Sequence, residues 1–171
     1  MIYLGIDPGS RTTGYGIIRE ENQKLYYLDS GCIRTEDANL SVRLLQIYDG
    51  ICELMQRYSP DEVVVEAVFM HQNAASALKL GQARGAALVA AASFRVKIAE
   101  YAPRVIKQAV VGFGGAEKIQ VTQMVTKILA LSRKPQEDAA DALAATICHS
   151  HHRHFNQLLE IYDRVDEGKH R

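Results

Sequence analysis

The chain has 171 residues, 47% of them hydrophobic, which suits a single domain with a substantial core. It contains no apolar stretch long enough for a membrane span, and we expect no signal peptide before its first strand. Its cysteines, Cys32, Cys52 and Cys148, are odd in number and widely spaced. They favour reduced thiols in a cytoplasmic protein over a disulfide framework.

The formal charges cancel over the whole chain but not along it. Residues 1–67 carry 6 basic and 11 acidic side chains, residues 68–135 carry 10 and 2, and residues 136–171 carry 4 and 7. A basic block between acidic ones is typical of a phosphate-binding face. The alternative is that these cations only coat solvated helix surfaces.

The predicted elements alternate between strands and helices. Three short strands at 2–7, 15–20 and 25–35 are joined by tight turns and should be antiparallel. Apolar spacing then predicts a helix at 41–58, a strand at 62–66, a helix at 73–93, a strand at 96–101 and helices at 103–111, 117–131 and 136–149. The polar residues that follow, 150–171, are expected to be frayed or disordered.

This order predicts an α/β domain over residues 1–150, with a five-stranded mixed sheet and helices on both faces, as in the ribonuclease H-like fold. Residues 151–171 would form a flexible tail. In such a sheet the first and fourth strands are parallel neighbours at the centre. Asp7 and Glu66 each end one of these strands, so they should meet at one edge. Carboxylates that close need a cation or a shared proton.

A third group of acids lies in the segment PQEDAADALAA, residues 135–145. Asp138 and Asp141 are three residues apart and share a helix face. Favourable interaction with the helix dipole would explain Asp138 without any metal, but it explains Asp141 less well, since its neighbours are Ala and Leu. Asp7 also has a plain alternative, because Asp-Pro-Gly is ordinary turn chemistry.

Taken together, the four acids predict a magnesium site. Carboxylate oxygens are the ligands that this ion prefers. Two such ions about 4 Å apart can activate a water molecule and stabilise the leaving oxygen of a phosphodiester.

Long segments of the chain resemble the RuvC family of bacterial Holliday junction resolvases. These are GIDPGSRTTGYG (5–16), SGCIRT (30–35), EAVFMHQNAASALKLGQARGAALVAA (66–91), VGFGGAEKIQV (111–121) and PQEDAADALA (135–144). The resemblance implies a homodimeric endonuclease, using Mg²⁺ with Mn²⁺ as a possible substitute, that nicks two opposed strands of a four-way junction in recombination and repair. It also implies RuvA and RuvB, the branch-migration proteins, as partners.

The resemblance assigns roles residue by residue. Asp7, Glu66, Asp138 and Asp141 match the metal-binding acids of the family, and the basic Lys107 and Lys118 match residues beside its active site. Phe69 matches an aromatic residue of a DNA-contacting loop, although taken alone it is more often a core residue. Ala67 departs from the family, many of whose members have glutamine there.

Two further motifs are weaker. The segment GFGGAEK (112–118) is not a Walker A loop, although its backbone and Lys118 could hold a DNA phosphate. The segment HSHHRH (149–154) suggests either a zinc site or, more simply, a solvated helix end. A general ribonuclease H-like nuclease and a non-catalytic binder of branched DNA are the remaining functional alternatives.

Overall fold

The computed structural model describes residues 1–67 and 73–169, with side chains as far as residue 156. Its strands are β1 (Ile2–Asp7), β2 (Thr12–Glu21), β3 (Lys24–Arg34), β4 (Glu62–Glu66) and β5 (Lys97–Tyr101). Its helices are α1 (Leu40–Tyr58), α2 (Ala74–Ser93), α3 (Pro103–Val111), α4 (Lys118–Ile128) and α5 (Glu137–Lys169). In that part of the chain, no helix combines the length and the apolar character needed to cross a membrane.

The strands form one mixed sheet in the order β3-β2-β1-β4-β5. β1 pairs antiparallel with β2, and β2 with β3, whereas β4 runs parallel to both β1 and β5. The predicted meander and the parallel central pair are therefore confirmed. The topology places the carboxyl ends of β1 and β4 at the same edge of the sheet.

Alternating side chains of the central strands bury both faces of the sheet. Leu4 and Val63 belong to a cluster that α1 and α2 cover, whereas Tyr3 and Val64 belong to a cluster with α3, α4 and α5. A strand buried on both faces reads as a continuous apolar run, which is the pattern of EVVVE at residues 62–66. The helices lie on both faces, as the sequence predicts.

Most helix boundaries follow from local chemistry. The side chain of Asn73 caps α2 by accepting hydrogen bonds from the backbone of Ala75 and Ser76, an interaction that typically contributes about 1 kcal/mol. Helix α4 ends at Ile128, three residues before its predicted end. The chain turns there through Ala130, which has a left-handed φ of 48°.

Helix α5 continues to Lys169 instead of ending near His149, so the predicted boundary of this helix is wrong. Residues just beyond His149 find partners on the sheet, which the sequence does not reveal. Ser150 Oγ donates to Glu20 Oε2 at 3.0 Å, and Arg153 Nη1 donates to the Tyr3 hydroxyl, also at 3.0 Å. The division of the chain into a domain and a flexible tail after residue 150 stays a prediction.

Candidate active site

Asp7 and Glu66 end the two parallel central strands. Ile6 of β1 lies opposite Val65 of β4, so the next residue of each strand is one of the two acids. Both side chains are half-buried at the sheet edge. The prediction that these carboxylates lie near each other is confirmed by this register.

Helix α5 delivers the aspartates of the third acidic group, and glycines on the sheet allow it to approach. A Cβ at Gly5 would overlap the carbonyl oxygen of Ala142, and a Cβ at Gly14 would overlap that of Asp138. The backbone of α5 therefore rests directly on β1 and β2. Asp138 lies over Gly14 beside the end of β1, and Asp141 follows one helical turn later.

The acids are crowded and poorly compensated. Burial, followed by the charges of Glu66, Asp141 and Asp138, raises the pKa of Asp7 to about 8. Burial and then Asp141 raise the pKa of Glu66, and a hydrogen bond with Asp7 offsets part of that rise. The two strand-end carboxyls therefore hold a shared proton near neutral pH, as expected for like charges brought close together.

Lys118, the first residue of α4, supplies the nearest positive charge. Its Nζ lies 2.6 Å from Glu137 Oε1 and 3.3 Å from Asp141 Oδ2. The hydrogen bond to Glu137 is the main reason that the pKa of Lys118 is raised. Burial still raises the pKa of Asp141 despite this lysine. One partly exposed ammonium group does not neutralise the site.

Lys107 of α3 is half-buried on the same side of the molecule. Its charge favours the ionised form of Glu66, which places it near that carboxylate. Lys107 and Lys118, which the family resemblance selects, thus lie beside the acids, and their contact with DNA stays a prediction. Sequence reasoning selects no further residue at this place. It misses Glu137, which gives Lys118 its shortest contact, because acids at the start of a helix are expected for the dipole alone.

The donor set suits a hard divalent cation. Carboxylate oxygens are the preferred ligands of such ions, and the raised pKa values of Asp7, Glu66 and Asp141 show negative charge that a cation would relieve. Within the described residues, no three acidic, histidine or cysteine side chains are placed to hold one ion together. Asp141 instead contacts the ammonium group of Lys118.

Phe69 falls within residues 68–72, outside the part of the chain that the structure describes, so its DNA-contacting role stays a prediction. The chain before it is anchored, because the backbone N–H of Ala67 donates to the carbonyl of Tyr101 at 2.8 Å.

The glycine-rich segment, residues 112–118, turns through Gly112, whose φ is 96°, and leads into α4. The side chain of Gln120 accepts from the backbone of Glu117 at 2.8 Å at that helix start.

The histidine-rich segment is not a solvated helix end at its first residue. His149 is 4% exposed and lies at the far end of the sheet from the acids. Its Nε2 lies 2.9 Å from Glu62 Oε2, and its Nδ1 lies 3.0 Å from the Tyr101 hydroxyl. A carboxylate only accepts, so Nε2 carries the hydrogen and Nδ1 of the neutral ring accepts from tyrosine. Arg153 Nε approaches Glu62 Oε1 at 3.7 Å.

Comparison with known proteins places the chain in a family. The family model for crossover junction endodeoxyribonuclease RuvC matches residues 3–149. The chain belongs to the RuvC family. The RuvC of Legionella pneumophila (strain Corby) is 67% identical over 153 residues, which are 89% of this chain and 88% of that one. The RuvC of Vibrio cholerae (classical strain O395) is 58% identical over 149 residues, 87% of this chain and 86% of the relative.

Solved RuvC structures share the fold. The structure of T. thermophilus RuvC in complex with a Holliday junction substrate superposes with a TM-score of 0.85 at 33% identity, covering 91% of this chain and 96% of that one. The predicted ribonuclease H-like fold and the predicted family are confirmed. Membership of this nuclease family implies the use of a divalent metal ion.

Proposed function

We propose that this protein is a magnesium-dependent endonuclease that resolves four-way DNA junctions by paired, symmetric nicks in recombination and repair. The observation that carries the proposal is the crowding of Asp7, Glu66 and Asp141 at one sheet edge, with raised pKa values. If these acids had only a structural role, each carboxylate would be expected to have cations or hydrogen-bond donors that compensate its charge. RuvC family membership supplies the substrate class.

Asp7, Glu66, Asp138 and Asp141 would hold Mg²⁺, and Mn²⁺, another oxygen-seeking divalent ion, would be able to replace it. With such a metal bound to activate the water and stabilise the leaving oxygen, hydrolysis would add water to phosphorus and break the bond to the 3′ oxygen, which would take up the proton that the water loses. The products would be a 5′ phosphate and a 3′ hydroxyl.

The residues of the chain prepare this site in two ways. The proton shared by Asp7 and Glu66 must leave before both carboxylates can act as anionic ligands. Lys118 and Lys107 place positive charge beside the acids, which allows a DNA phosphate to approach them. Phe69 would contact unpaired bases at the branch point.

A homodimer would place two such sites on opposite strands of a two-fold junction. Helix α2 offers a surface for it, because its outward face has Leu78 and Val89 at 65% and 61% exposure. Between them, Gly81 and Gly85 have no atom within 4 Å of an added Cβ. Small residues allow close helix approach. Leu78→Asp should therefore shift the protein toward monomer in sedimentation analysis, while Lys79→Asp on the neighbouring exposed position serves as the control.

The cellular setting follows from the family. RuvA and RuvB, which migrate the branch, are the partners that it implies. The free thiols of Cys32, Cys52 and Cys148 suit the reducing cytoplasm, where we place the enzyme.

The test of this function compares labelled four-way junctions with linear duplexes of the same sequence, with and without Mg²⁺. Paired nicks at symmetric positions of the junction, dependent on the metal, are the expected result. Equal cutting of linear duplex would contradict junction resolution and leave a general ribonuclease H-like nuclease. Tight junction binding without cutting, even with Mg²⁺, would instead indicate a non-catalytic binder.

A further inference from the structure

A groove with a volume of about 1160 Å³ lies between the edge strand β3 and the connection from α4 to α5. Tyr26, Tyr27 and Arg34 line it from β3, and Arg133 and Lys134 line it from the connection. None of these residues is among the acids or the lysines placed in the active site. The groove is a separate surface on the face that α4 and α5 cover.

The charge of the groove has one sign. Arg34, Arg133 and Lys134 are all exposed, and none of them forms an ion pair with a described residue. Among the described residues that line the groove, no side chain is acidic. Cations that no carboxylate neutralises attract a polyanion, and they disfavour a basic peptide or a second copy of the same surface.

The groove opens toward the acids. Cys32 and Ala139 line it, and Ala139 directly follows Asp138 in α5. Cys32 pairs across the sheet with Gly14, on which the backbone of Asp138 rests. A chain lying in the groove would therefore come next to Asp138, one of the four acids.

One tyrosine completes the chemistry of the surface. Tyr27 pairs with Ile18 and so lies on the face that α4 and α5 cover, where its side chain is 39% exposed. The next ring along β3, that of Tyr26, lies on the opposite face of the sheet beneath the guanidinium of Arg19. An aromatic ring beside unpaired cations is a combination that holds bases and phosphates of nucleic acid strands.

We propose that this groove holds the DNA strand that leads into the acidic site, with its phosphates on Arg34, Arg133 and Lys134. The inference rests on the proposed function, since it assigns the path of the same substrate. It predicts that affinity for DNA depends on the cations of this groove in addition to the lysines beside the acids.

The first test measures binding of a fluorescent four-way junction without Mg²⁺ over a range of salt concentrations. The double variant Arg133→Ala/Lys134→Ala should bind roughly tenfold more weakly, with a log affinity against log salt slope smaller by about 2, because each lost phosphate contact removes about 0.9. Arg57→Ala/Arg95→Ala is the control, since both arginines are exposed on the α1 and α2 side. Identical slopes in the two double variants would overturn the groove.

The second test locates the DNA directly. Ser132→Cys puts a thiol in the groove, and Gln56→Cys puts one on the exposed surface of α1. Bound junction should slow maleimide labelling of the first thiol and not of the second, as read by peptide mass spectrometry. Equal labelling rates with and without DNA at residue 132 would overturn the proposal.

The two tests separate this proposal from the proposed function. If junction DNA protects the thiol of the Ser132→Cys variant but this variant cuts junction and duplex equally, junction resolution is contradicted and the groove is supported. If the variant resolves junctions while its thiol stays unprotected, the groove alone is contradicted.

Discussion

The two ends of the central strands carry the same residue types in opposite electrostatic states. At the carboxyl ends of β1 and β4, Asp7, Glu66 and Asp141 crowd together, and their pKa values are raised. At the opposite end lie Glu62 and Glu20, and a hydrogen bond from Tyr3 is the main influence holding the pKa of Glu20 down against burial.

Partners explain the difference. Glu62 contacts His149, Arg153 and Lys97, and its side chain is only 9% exposed. Of the three carboxylates at the other end, Asp141 forms an ion pair with the partly exposed Lys118, and Glu66 has only the nearby charges of Lys118 and Lys107. Buried acids with built-in partners hold a fold together, whereas buried acids without them repel one another until a shared proton or an added cation relieves the repulsion. Helix α5 crosses the sheet and contributes to both ends.

Removing an acid from the crowded end, where Asp7, Glu66 and Asp141 lie, should have the largest effect on cutting. Asp7→Asn keeps the size of the side chain but removes an anionic ligand, so junction cleavage should fall by roughly three orders of magnitude or more. Junction affinity should survive, because it depends on the basic surface. A nicking assay and a gel-shift titration measure the two quantities.

The stability of this variant sharpens the comparison. Because Asp7 contributes to repulsion, the metal-free variant should melt no lower than the parent, and Mg²⁺ should raise its melting temperature less. Asp49→Asn, at an exposed position of α1, is the matched control and should leave cutting and melting unchanged. A variant that melts lower but cuts normally would assign Asp7 to the Asp-Pro-Gly turn instead.

Removing an acid from the paired end, where Glu62 and Glu20 lie, should affect stability and not cleavage. Glu62→Ala leaves the Nε2 hydrogen of buried His149 without an acceptor, at a cost of about 3 kcal/mol. The melting temperature should fall by about 10 °C for a chain of this size. Cleavage by the folded variant at low temperature should stay close to that of the parent. Glu53→Ala, on the exposed surface of α1, is the control for loss of a glutamate.

Removing the lysine of the crowded end, Lys118, should give a smaller change in both cleavage and stability. Lys118→Ala should slow junction cleavage about tenfold, because a cation beside the reacting phosphate is lost. Its effect on metal-free stability should stay below about 1 kcal/mol, since the side chain is 60% exposed. Lys107→Ala should flatten the salt dependence of binding in the same direction. Unchanged cleavage and salt slopes, matching those of Lys127→Ala, would make both lysines ordinary surface charge.

The smallest effect is a pH dependence at the paired end. Burial lowers the pKa of His149 below its ordinary value despite the bond to Glu62. The unfolded chain therefore takes up a proton near pH 6.5 while the folded ring stays neutral, so stability is lost as pH falls from about 7 toward 5. His149→Gln keeps a donor but cannot titrate, and its melting temperature should fall less over that range. If the melting temperatures of the two proteins fall equally as the pH is lowered, the titration of His149 does not set this pH dependence.

The sequence predicts the crowded end better than the paired end. The acids of this end follow local patterns: Asp7 and Glu66 end strands, and Asp138 and Asp141 are three residues apart in a helix. Once β1 and β4 are assumed to be parallel neighbours, these patterns predict that the acids converge. The ion pair between Lys118 and Asp141 joins two helices and has no local signal. Without an alignment, such a contact is visible only in three dimensions.

The sequence does not predict the paired end, for the same reason. His149, Ser150 and Arg153 look like the polar end of a helix, because their partners come from β4, β2 and β1, more than eighty residues away in sequence. The sequence therefore favours an early helix end, and the long-range contacts overrule it. The groove beside β3 likewise cannot be predicted from the sequence, since Tyr27 looks like an ordinary strand residue.

The most direct measurement is the release of protons when Mg²⁺ binds to the metal-free protein. The proton shared by Asp7 and Glu66 must leave for both to act as ligands, so Mg²⁺ added at pH 7 in weak buffer should release about one proton per active site. Release should disappear well above pH 8 and in Asp7→Asn, whereas Glu62→Gln should release as much as the parent. Saturating Mg²⁺ binding at pH 7 with no proton release would show that the strand-end acids are already ionised, and would contradict the crowded site.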